Sequence, residues 1–168
     1  MDFLNELLNQ PLLKIGRASD LFWMLFGNSI LDSFQENKTT EKFEYALHLQ
    51  CPWRIRSKGD SQIQLASDDI YQPTSLIKWS PEFDWDVQGN NLFDEKAQKL
   101  FSDNNLVFVK RVSISKNNDL QLEFSNHLIL ECFVNTSTFE ECWRFFRQNG
   151  DRHLVAKGSI LEFQQEGE

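Results

Sequence analysis

Residues 43–56 alternate over fourteen positions. Phe43, Tyr45, Leu47, Leu49, Cys51, Trp53 and Ile55 share one parity, while Glu44, Ala46, His48, Gln50, Pro52, Arg54 and Arg56 share the other. A period of two sustained this long predicts a strand with one face on the core. Pro52 has no N–H to give to a ladder, so the strand is expected to bend or change partner there. Residues three apart in a strand face opposite ways, so His48 and Cys51 are expected to point away from each other. Cys51, on the apolar parity, reads as an unreactive core thiol.

Other segments follow the same logic. Residues 2–9 place Phe3, Leu4, Leu7 and Leu8 on one helical face, and Pro11 closes that helix. LFWMLFG (21–27) predicts a buried strand and QENKTTEK (35–42) a surface loop. SQIQLASDDIYQP (61–73) predicts a short strand, then an acidic turn. SPEFDWDVQGNN (80–91) is acidic, aromatic and rich in turn formers. Apolar residues from Leu92 to Phe101 recur at helical spacing, with Asn91 as cap and Asp94 and Glu95 in the first turn, which predicts a helix over about 92–102. Three apolar runs, 106–114, 120–124 and 127–134, predict a meander. In STFEECWRFF, Ser137 to Glu140 or Thr138 to Glu141 has the spacing of a capping box and predicts one helical turn. RHLVAKGSILEF (152–163) adds one or two strands around Gly158. The expected fold is one α+β domain over 1–168: a mainly antiparallel twisted sheet or half-barrel, a short N-terminal helix and a central helix.

Composition narrows the function classes. The 168 residues carry a net charge of −8, the opposite of the basic balance that phosphate binding requires, so nucleic acid is not an expected partner. The same charge suits a basic protein partner. Cys51, Cys132 and Cys142 form an odd set without CxxC spacing, as expected of buried free thiols in a reducing compartment. MDFLNELLNQ lacks the basic and apolar regions of a signal peptide, and no run reaches membrane-spanning length. A cytoplasmic protein without a membrane association is the expectation.

Candidate chemistry is sparse. Asp68, Asp69, Asp84 and Asp86, joined by His48, form the one set of residues that suits a divalent cation, and the alternative is two turns whose carboxylates cap backbone N–H groups. Cys142 beside Glu141 is poorly placed to ionise, and GxSxG, GxGxxG, GxxxxGK and HExxH are all missing, so no cofactor is expected. Arg54, Tyr71, Asp84, Trp85 and Asp86 are the candidates for an interaction surface, since Trp, Tyr and Arg carry most interface energy.

YALHLQCPWRI, SDDIYQP and FDWDVQGNN, with Trp143-Arg144 late in the chain, resemble a family of small uncharacterised bacterial proteins sharing ALHxQCxWRI, SDxxY and FDWDxxGxN. The likeness runs in order from about residue 16 to 160. It implies a shared fold and no particular activity, cofactor or partner. If the motifs meet in space, Asp68 or Asp84 is expected to pair with Arg54 in a structural ion-pair network. The sequence favours a non-enzymatic interaction protein, of immunity or antitoxin type, that binds a basic partner. The alternative is a metal-dependent enzyme or small-ligand binder built on His48 and the Asp turns.

Overall fold

A computed structural model describes residues 2–30, 42–100 and 106–165. Three meanders and one hairpin account for its strands. The first meander is β1 (Pro11–Ala18), β2 (Leu21–Ile30) and β3 (Lys42–Leu49). The hairpin is β4 (Trp53–Ser57) with β5 (Ile63–Ala66). The second meander is β6 (Val107–Ile114), β7 (Leu120–Phe124) and β8 (Leu128–Cys132), and the third is β9 (Glu141–Arg147), β10 (Arg152–Lys157) and β11 (Ile160–Gln165). They join in the order β11-β10-β9-β3-β2-β1-β6-β7-β8-β4-β5, and the neighbours pair antiparallel. One helix, α1 (Leu92–Leu100), and two 3-10 turns, Leu4–Leu7 and Ser67–Tyr71, complete the described elements.

The expected α+β class is therefore corrected: the chain is mainly β. Residues 137–146 hold no helical turn, because β9 is enclosed by β3 on one edge and β10 on the other. Two full ladders outweigh the single turn that a capping box can start. The N-terminal helix reduces to the 3-10 turn Leu4–Leu7, with Leu4 and Leu7 buried. Pro11 opens a strand that the sequence pattern did not predict. The central helix starts where expected and is described to Leu100; residues 101–102, and 35–41 of the expected loop, lie outside the described residues.

Pro52 acts as anticipated. Up to Leu49 the chain pairs with β2 and β9; from Trp53 it pairs with β8 and β5. In sheet order five strands separate β3 from β4. In a flat sheet six steps of about 4.8 Å would put them about 29 Å apart. Four residue steps, from Leu49 to Trp53, span at most about 14 Å. The sheet must curl until its two halves meet at residues 50–52.

Side chains close that curl. Phe22 of β2 stacks on Trp53 of β4 at 4.2 Å between ring centroids, and Phe93 of α1 stands edge-on to Phe22 at 5.5 Å. All three are buried. Across the curl, the indole N–H of Trp143 in β9 donates to the Asn118 carbonyl in the β6–β7 turn at 2.7 Å. The Asn118 amide donates to the Gly158 carbonyl at 3.2 Å. No described helix is long and apolar enough to cross a membrane.

Candidate functional site

One feature of this frame is not explained by packing: the chain between the 3-10 turn at Ser67–Tyr71 and α1. A bridge between Pro73 and Asn91 closes its base. Among residues 74–90 there is no helix or strand. Excursions of this length without regular structure are uncommon in compact domains and tend to carry function.

The base is firmly built. Arg17 of β1, its side chain 1% exposed, donates from Nε and Nη2 to both carboxylate oxygens of Asp94 at 3.0 Å. Its remaining N–H groups reach Asp86 Oδ1 and the carbonyls of Ser19, Asp86 and Val87 at 3.1–3.3 Å. The Asp94 hydrogen bonds hold the guanidinium above its ordinary range, against the opposing effect of burial. Asn91 does two jobs. Its Oδ1 accepts the Asp94 N–H and caps α1, while its amide donates to the Trp85 carbonyl. Glu95 accepts from the N–H and hydroxyl of Ser75 and pairs with Lys99. Those contacts hold its carboxyl far down, at about 2.

The outer part is open. Leu76 is 92% and Trp79 69% exposed, with Ile77, Val87 and Tyr71 also in solvent. Asp68, Glu82, Asp84 and Asp86 are exposed carboxylates beside these apolar groups. Next to the loop, a groove of about 910 Å³ runs between Leu13–Gly16 of β1 and Phe93 and Ala97 of α1, with Leu76 and Ile77 at its rim.

Four of the five interaction candidates come together here. The Tyr71 ring meets Trp85 edge-on at 5.0 Å, and its hydroxyl donates to Asp20. Burial, then the Asp20 hydrogen bond, pushes the phenol up. Trp85 is half-buried and packs against the core. Asp84 accepts the N–H of Asp86 in a local turn. Arg54 is elsewhere. It pairs with Glu131 at 2.6 Å and lies over the Phe133 ring, so the expected Arg54 pairing with Asp68 or Asp84 does not occur. Sequence reasoning missed Arg17, which sits in the strand it did not predict, and also passed over Leu76 and Trp79.

The metal candidates are not assembled. Register aligns Gly16, Trp23 and His48 on one face of the sheet and Arg17, Phe22 and Leu49 on the other. Asp86 is on Arg17, so His48 faces away from it. His48 stands edge-on to Phe146, and burial, helped by Arg144 and His153 and opposed by Glu141, lowers its pKa. Asp69 is structural, accepting the Ala66 N–H and pairing with Lys96. Among the described residues, no group of three or more His, Cys, Asp or Glu side chains is arranged to hold a metal ion.

Comparison with family models, curated proteins and solved structures finds no match.

Proposed function

We propose that the protein is a non-enzymatic interaction protein that binds a basic protein partner through residues 68–90. The observation that carries this reading is the contrast within the loop. Its base is fixed by Arg17, Asn91 and Glu95, while its outer part presents Leu76 and Trp79 to solvent. Leu76, Ile77, Trp79 and Val87 are several exposed apolar side chains on one held loop, and grouped exposure of this kind, unlike a lone exposed residue, marks interaction sites. Preorganisation of this kind lowers the ordering entropy of association.

Charge gives the partner's chemistry. From residue 68 to 90 the chain has five acidic residues and one lysine. Asp68, Glu82 and Asp84 are exposed on the same stretch of chain that exposes Tyr71 and Trp79. A partner with an apolar cleft rimmed by Lys or Arg matches both components. An immunity-type role, in which an acidic protein masks a basic toxin domain, is the form of this reading most consistent with the size and charge of the chain.

The test is native mass spectrometry of complexes recovered at low salt from the host, with the wild type and with Trp79→Ala and Asp84→Lys variants. A stoichiometric basic protein that is released as salt rises, and that neither variant retains, supports the reading. A bare wild-type protein, or a partner that both variants retain, overturns it.

A further inference from the structure

The three cysteines, far apart in sequence, converge where the two halves of the curled sheet meet. Cys51 lies in the β3–β4 link, Cys132 ends β8 and Cys142 is near the start of β9. Two backbone bonds bring them together: Gln50 N–H donates to the Cys142 carbonyl, and Phe133 N–H donates to the Pro52 carbonyl, both at 2.8 Å. All three thiols are free, with exposures of 7% for Cys51, 0% for Cys132 and 2% for Cys142. Sγ of Cys51 and Sγ of Cys132 are 3.2 Å apart.

We infer that Cys51 and Cys132 are a reversible dithiol–disulfide pair, oxidised within the folded protein by hydrogen peroxide. Closing the S–S bond to about 2.05 Å requires an approach of roughly 1.1 Å. Cys51 can supply it, because it belongs to neither strand and lies between the two bonded residues Gln50 and Pro52, whose backbone bonds need not break for its side chain to turn. Cys142 is the less favoured partner, since its S–H turns toward the Glu140 carbonyl at 3.8 Å.

The two thiols have different roles. Either thiol can donate across this contact, and the arrangement with Cys132 as donor draws the Cys51 thiol below its ordinary range in spite of burial. That same donor role, together with burial, pushes Cys132 up. Cys51, also the most exposed of the three, is therefore the attacking thiolate. Its sulfur attacks a peroxide oxygen: an S–O bond forms, the O–O bond breaks, and the departing hydroxide takes up the Cys51 proton as water. The Cys132 sulfur then attacks the Cys51 sulfur. The S–S bond forms, the S–O bond breaks, and the second hydroxide leaves as water with the Cys132 proton. Two thiols are oxidised and one peroxide is reduced to two waters. A dithiol such as dithiothreitol reverses the change by exchange.

The test treats the folded full-length protein with hydrogen peroxide, then counts thiols in denaturant and maps the linked peptides. The expected result is a fall from three thiols to one and a Cys51–Cys132 peptide pair. On a non-reducing gel the monomer runs faster, as expected for a chain closed across 81 residues. Dithiothreitol restores all three thiols. Cys142→Ser still loses two thiols. Persistence of all three thiols, a bond that uses Cys142, a bond between two chains, or Cys51 sulfinic acid in place of the disulfide overturns the inference. Each of these is read on the wild type, so a variant that fails to fold does not blunt the test.

Discussion

Arg17 and Asp94 meet through two parallel hydrogen bonds of 3.0 Å, and this pair joins β1 to the first turn of α1. Both side chains are nearly sealed from water, Arg17 at 1% and Asp94 at 8% exposure. The same guanidinium holds the carbonyls of Asp86 and Val87, so one residue positions the helix and the end of the acidic loop together.

Replacing Arg17 by Met should leave the Asp94 carboxylate buried without its cation. Removal of one member of such a pair typically destabilises by about 3–5 kcal/mol. A urea titration should show a lower midpoint at nearly unchanged slope. The double variant Arg17→Met with Asp94→Leu should recover part of the loss. A single variant within about 0.5 kcal/mol of wild type, the range of ordinary surface changes, would show that this contact anchors nothing.

Glu95 provides a pH-dependent clasp on the loop. Its folded pKa lies below the ordinary 4.5, at about 2, chiefly through Lys99 and then through the N–H and hydroxyl of Ser75. A depressed carboxylate contributes stability above its unfolded value and loses it as pH falls through the folded one. The clasp should therefore be intact above about 4.5 and be released as pH drops toward about 2. Carboxyl-carbon NMR should place the Glu95 midpoint near the lower figure, and Lys99→Ala should move it upward. A midpoint at the ordinary value would rule out the clasp.

Gly16 lies under the indole of Trp23, its register partner in β2, and a Cβ at position 16 would overlap the ring. Gly16→Ala should destabilise by about 1–3 kcal/mol, the usual range for overpacking. Combining it with Trp23→Leu should relieve most of that strain. Thermal unfolding of the two variants decides the matter, and equal losses in both would place the effect in the backbone instead.

Trp79→Ala should behave in the opposite way. The ring is largely in solvent, so unfolding should shift by no more than about 0.5 kcal/mol while retention of the basic partner is lost. A large stability change would show that Trp79 belongs to the fold.

The alternation at residues 43–56 conveyed the strand, its buried face and the break at Pro52, because a period of two needs no partner to be recognised. The capping chemistry of Asn91 was equally plain. β1 was hidden because its eight residues do not alternate cleanly: one of its two buried positions is Arg17, whose charge is matched only by residues some seventy positions later. β9 was obscured by local cap signals that two long-range neighbours override. Arg54 was linked to the wrong acids for a similar reason. Glu131 faces it across β4 and β8, a pairing set by sheet order and not by motif spacing.

The curl at residues 50–52 also bears on how the molecule is made. β3 pairs on one edge with β2, its neighbour in sequence, and on the other with β9, which begins at Glu141. A growing chain therefore presents one naked edge of β3, flanked by Phe43, Leu47 and Leu49, until the third meander has left the ribosome. Loop closure over such separations is slow. The interval before β9 docks is thus one in which an open strand edge can pair with another copy of the same chain.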